Sequence, residues 1–130
     1  MNMYIIPLSS LISFLLGMLW YSPFLFASPW QKAAGFKGNP EKNSMIKAFL
    51  GSFVLMNVMA FGMSWLVEDA RVTSDYLEGF LFGLKIGVFF VGTSTAINYL
   101  YQQKSFMLWF IDAVYQILCL GIMGALLAGF

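Results

Sequence analysis

The chain has 130 residues, 60% of them hydrophobic and 10% charged, with a formal net charge of +1. Soluble domains carry roughly 25% charged residues, so this composition belongs in a bilayer, and its near-neutral balance gives no basis for a nucleic-acid partner. With no histidine and a single cysteine, Cys119, an internal disulfide and the usual Cys/His zinc spacings are excluded; no metal site and no cofactor are expected.

The first apolar run, Tyr4 to Phe26, carries no charged residue and, at about 1.5 Å per residue, exceeds the roughly 30 Å hydrocarbon core of a bilayer. It predicts a transmembrane helix over about 4–26. Met1 to Tyr4 has no positive charge and no small-x-small cleavage site follows, so the helix is expected to be retained. Ser9, Ser13 and Gly17 recur every four residues, a small-residue stripe suited to close helix packing in lipid.

Trp20-Tyr21-Ser22-Pro23 then marks the membrane exit: indole and phenol rings favour the headgroup level, and Pro23 disfavours helix at the residue before it. Trp20, Tyr21 and Trp30 are candidate interface anchors. Ser28 as N-cap and Pro29 as first helical residue predict a short interfacial helix over about 29–36, with Trp30 and Phe36 toward lipid and Lys32 toward phosphate.

Asn39 and Pro40 provide the start signal for the second span, expected over about 45–67 and interrupted by Lys47 and Asn57. The polar connection from Glu68 to Asp75 permits only a reversal, and the third span follows over about 76–101. There, Gly79, Gly83 and Gly87 lie at four-residue steps and form one helix-packing face; Lys85 points away from it. After the tight turn Gln102–Ser105, the fourth span is expected over about 106–130, with Gly121 and Ala125 on a packing stripe opposite Asp112, Gln116 and Cys119.

The expected fold is therefore an all-α integral membrane protein, a single domain over 1–130 made of four antiparallel transmembrane helices plus the interfacial segment. Lys32, Lys37, Lys42, Lys47 and Lys104 fall at the ends joined by the first and third loops, and the opposite side carries Arg71. The positive-inside rule places those loops in the cytoplasm and both termini outside.

These residues also carry a resemblance. Gly17, Trp20-Tyr21-Ser22-Pro23 and Phe26, followed by Trp30, Gly35-Phe36, Asn98-Tyr99-Leu100 and Ile122-Met123-Gly124-Ala125, resemble the bacterial membrane family catalogued as domain of unknown function 1761. The resemblance covers nearly the whole chain. It implies four spans and lends no activity, so no catalytic or binding residue is carried over from it.

A charge inside a span costs roughly 2.5–3.5 kcal/mol on insertion scales, which makes Lys85 and Asp112 the residues to explain. Hairpin register puts Lys85 at the level of Asn57 and Ser13, and Asp112 at the level of Thr93, Ser94 and Thr95, with Asn98 a turn nearer the cytoplasm. Lys85 and Asp112 are then roughly 13 Å apart in height, too far for an ion pair. The bland alternatives are a Lys85 that snorkels toward Glu78 and an Asp112 held by Thr95 or Asn98. The sharper expectation is a polar cavity for a small solute or proton, lined by Asn57, Lys85, Ser94, Asn98, Asp112 and Gln116.

No histidine, no phosphate loop and no paired catalytic carboxylates are present, so an enzyme is not expected. The leading expectation is a transport-like inner-membrane protein in contact with lipid, a homo-oligomer with a dimer favoured because four spans enclose little volume. The alternative is a structural, accessory or lipid-binding membrane subunit.

Overall fold

A computed structural model describes residues 3–35, 42–72 and 75–130. Among them the chain is helical: α1 (Ile5–Trp20), α2 (Ala27–Ala34), α3 (Lys42–Asp69), α4 (Tyr76–Ile86), a π-helical segment (Gly87–Gly92), α5 (Thr93–Tyr101) and α6 (Phe106–Gly129). The expected cap at Asn39 and Pro40, together with Phe36 and Lys37, lies outside the described residues.

Among the described residues, three helical stretches are long and apolar enough to cross a membrane: α3, the rod running from Tyr76 to Tyr101, and α6. α1 is shorter. Its 16 residues span ~24 Å, against the expected single helix through Phe26. Chain reversal begins ahead of Pro23: the Ser22 amide pairs with Leu19 O, and the Phe26 amide reaches back to Trp20 O. That turn also moves the start of α2. The amide of Ala27 is taken by Ser22 O and that of Trp30 by Phe26 O, so Ser28 sits inside the first turn instead of capping it. α2 ends at Gly35, whose φ of +71° is a left-handed C-cap that glycine adopts without strain.

α6 is the hub, touching α1, α2, α3, α4, α5 and the π segment. Its tightest partner is α4, and glycine is the reason. A β-carbon on Gly79 would collide with the carbonyl of Gly124, and one on Gly83 with the carbonyl of Leu120. One on Gly87 would sit 2.9 Å from Ile117 Cα. The glycine face thus lets two backbones meet, which is how helices associate where lipid removes the hydrophobic drive. Phe80 and Leu84 lie against Gly121 from the same side.

α1 and α3 cover the rest of α6. Ser9, Ser10 and Ser13 are buried, with Ser9 Oγ and Ser10 Oγ donating to Ile6 O, and Ser10 Oγ also reaching Met56 O at 3.2 Å across to α3. Met56, Ala60, Met63 and Val67, spaced at alternating three- and four-residue steps, form the α3 face that packs with Cys119, Leu120 and Met123. At Gly17 the small-residue stripe accommodates Tyr115, whose hydroxyl would collide with any β-carbon there; that hydroxyl donates to Ser13 O at 2.8 Å.

The two tight turns share one device. Arg71 and Gln103 each adopt φ +58°, and the following amides, of Val72 and Lys104, reach back to Val67 O and Tyr99 O. Left-handed non-glycine residues cost roughly 1–2 kcal/mol, offset here by the satisfied helix-end carbonyls. Asp75 then caps α4 and Ser105 caps α6 through their side chains.

Candidate functional site

Asp112 lies two turns into α6, ~9 Å from its start by helical rise. A half-buried carboxylate there is costly unless donors replace water. Three do so. Tyr21 Oη donates to Oδ1 at 2.6 Å, Trp30 Nε1 donates to the same oxygen at 3.0 Å, and Tyr99 Oη donates to Oδ2 at 2.7 Å. Hydrogen bonds to a charged group contribute about 1.5–3 kcal/mol each, so the set offsets desolvation and draws three separate elements together.

The local folding explains why these rings arrive. Helix α1 stops at Trp20, whose indole N–H donates to Ile111 O at 3.1 Å, the carbonyl beside Asp112. Its ring packs on Phe26 at 4.5 Å, which fixes the turn leading into α2. Tyr21 stands edge-on to both Trp30, at 5.6 Å, and Tyr115, at 5.5 Å. Beyond Asp112, the π segment shifts the backbone ladder, and Gly92 O accepts both Trp109 Nε1 at 3.0 Å and Thr95 Oγ1 at 3.1 Å. The same α5 carries Tyr99.

One side of this cage is open. A cleft of about 610 Å³ runs between α2 and the α5–α6 turn, lined by Trp30, Lys32, Ala33, Tyr99, Lys104 and Asp112 among others. Lys104 Nζ lies 5.1 Å over the ring of Tyr99. Each carboxylate oxygen has about two acceptor sites, and among the described residues Oδ1 accepts from Tyr21 and Trp30 while Oδ2 accepts from Tyr99 alone. Asp112 also lines the cleft.

A family model described as Protein of unknown function (DUF1761) matches residues 5–128. The chain belongs to this family. No curated protein and no solved structure matches it. In this DUF1761 member, four of the aromatic residues that carry the resemblance, Trp20, Tyr21, Trp30 and Tyr99, gather around Asp112 and the carbonyl before it.

The other sequence candidates are placed elsewhere. Asn57 donates to Phe53 O in its own helix and borders a separate apolar groove with Ile6, Pro7 and Phe53. Lys85 is exposed, Ser94 and Asn98 are exposed on the α5 rod, and Gln116 is half-buried on α6. Among the described residues none of these four side chains forms a hydrogen bond, and Thr95 bonds Val91 O and Gly92 O instead of Asp112. Of the six expected cavity residues, Asp112 alone lines the polar cleft.

Hairpin register compares only neighbouring spans, so it misses Tyr21 and Trp30, which are 91 and 82 positions from Asp112; Tyr99, 13 positions away on the adjoining span, is within its reach, but the expectation falls on its neighbour Asn98. A donor–acceptor count holds the missing signal. Several indole and phenol donors converge on one end of the helix bundle, and the sole carboxylate of α6 is there to receive them.

Proposed function

We propose that this chain crosses a bacterial plasma membrane four times, with antiparallel spans and the lysine-bearing first and third loops in the cytoplasm, and that it binds a small polar ligand at headgroup depth. α1 then serves as the short fourth span, its reach extended by the aromatic turn at Trp20 to Phe26. The observation that carries the binding reading is Asp112 in the wall of an open polar cleft, with an Oδ2 that among the described residues accepts from Tyr99 alone.

Binding at one face fits the geometry better than conduction through the bundle. Deeper along α6 from Asp112, Tyr115, Cys119 and Met123 are sealed in the core. The polar residues that a pathway would link, Asn57 and Lys85, lie apart from the cleft. Lipid is accordingly proposed as a neighbour or occupant of the cleft, and the chain as a binding or accessory membrane protein.

Photo-crosslinking in intact cells tests this without naming the ligand beforehand. A benzoylphenylalanine replacing Ala33, in the cleft, is expected to capture a defined polar molecule or headgroup, and Asp112→Asn is expected to lower the yield. The same probe replacing Leu55, on the exposed face of α3, should capture acyl chains only. Identical adducts at both positions would contradict the proposal.

A further inference from the structure

The ligand's chemical class follows from how charge is arranged in the cleft, given the reading of that cleft as a binding site. Among the described residues, two lysines, Lys32 and Lys104, line it together with one acidic residue, Asp112. Among the described residues no ion pair joins them: Asp112 is held by neutral donors, and Lys104 stands over the face of Tyr99. The Tyr99 ring therefore separates opposite charges, with the Lys104 ammonium over its face and the carboxylate at its hydroxyl. A simple anion would meet Asp112, and a simple cation would meet both lysines. A molecule with a negative and a positive group one short linker apart satisfies both ends.

We infer that the cleft binds a phosphoryl-ethanolamine group, with its phosphate between Lys32 and Lys104 and its primary ammonium on Asp112 Oδ2. Lysine is a point-charge binder of phosphate, and three N–H donors on the ammonium suit the acceptor that Tyr99 leaves open. A quaternary ammonium has no N–H to give and would leave that acceptor empty, although the rings of Trp30 and Tyr99 would still attract its charge. A primary amine is thus favoured over a trimethylated one. Ala33 and Ala34 on α2 and Leu108 on α6 add apolar lining that suits the glycerol end of a lipid headgroup.

The test uses the full chain in detergent and measures, by native mass spectrometry, the retention of phosphatidylethanolamine, phosphatidylcholine and phosphatidylglycerol. Phosphatidylethanolamine is expected to bind about tenfold more tightly than either, the size of one lost hydrogen bond to a charged group. Asp112→Asn should erase the preference over phosphatidylcholine. Lys104→Gln, in an exposed turn where folding is not at stake, should weaken phosphatidylethanolamine binding by a similar factor. Free phosphoethanolamine competing as well as the lipid would assign the soluble molecule to the site, and weaker competition would assign the headgroup; both keep the site's chemistry. Equal retention of the ethanolamine and choline lipids overturns the inference. So does equal retention of phosphatidylglycerol, which would leave the cleft a ligand site of another class. Retention of none of the three with no competition by phosphoethanolamine, alongside identical cross-links at Ala33 and Leu55, would bring down both readings.

Discussion

Trp30 and Asp112, 82 positions apart in the chain, are joined by a 3.0 Å hydrogen bond from the indole N–H to a carboxylate oxygen. It fastens α2, otherwise a short helix with no buried residue, to the central helix. The position of α2 therefore depends on a carboxylate of α6.

Replacing Asp112 by Ala leaves Tyr21, Trp30 and Tyr99 without their acceptor. The expected loss is roughly 3 kcal/mol of stability, concentrated at α2. Hydrogen exchange on Gln31 and Ala33 amides measures it: protection should fall there and remain unchanged in α3. Trp30→Phe, which removes the N–H donor and leaves a smaller aromatic ring, should have about half that effect.

The glycine seam makes a sharper prediction, because its neighbours are backbone atoms that cannot rotate away. Gly83→Ala is expected to cost about 3 kcal/mol or more, since its methyl group lands on the Leu120 carbonyl. Gly51 and Gly62 meet nothing within 4 Å, so alanine there should stabilise α3 by about 0.5–1 kcal/mol. Thermal unfolding of the three variants in one detergent gives the comparison.

Gly17 and Tyr115 should behave as a coupled pair. Gly17→Ala displaces the Tyr115 hydroxyl and costs about 1–3 kcal/mol, and it also breaks the bond to Ser13 O. In a Tyr115→Phe background the hydroxyl is already gone and the added cost should be smaller. A double-mutant cycle reads the coupling directly.

Lys85 is exposed on α4 and makes no hydrogen bond or ion pair among the described residues. Lys85→Met should preserve the fold and favour membrane insertion by about 2.5–3.5 kcal/mol if the ammonium sits near the bilayer centre, and by less if it snorkels. A glycosylation-based insertion assay reports this. Ligand retention at the cleft should be unchanged.

Much of this architecture is legible before any coordinates, because its causes are local or periodic. Gly79, Gly83 and Gly87 announce a packing face by spacing alone; the caps are less legible, since the expected cap Ser28 lies inside its helix and the observed caps Asp75 and Ser105 read only as turn residues. Lys85 is assigned to the opposite face by the same periodicity. The site is less legible. Trp20, Tyr21 and Trp30 have the composition of lipid-facing anchors, and nothing in their spacing says that their N–H and O–H groups turn toward α6. Asp112 stands out as a charge within a span, but Tyr21 and Trp30 come from distant segments that sequence neighbours do not indicate, and Tyr99 stands one residue beyond the expected Asn98. The π segment has no sequence signature beyond its bounding Gly87 and Gly92.

The account depends most on Lys32 and Lys104 sharing one membrane face as two walls of the same cleft. In a Cys119→Ala background, Lys32→Cys, Lys104→Cys and Asp75→Cys can be labelled one at a time with a membrane-impermeant maleimide applied to intact cells and to inverted vesicles. The first two should react in inverted vesicles and the third in intact cells. Labelling of Lys32→Cys and Lys104→Cys from opposite sides would contradict the account.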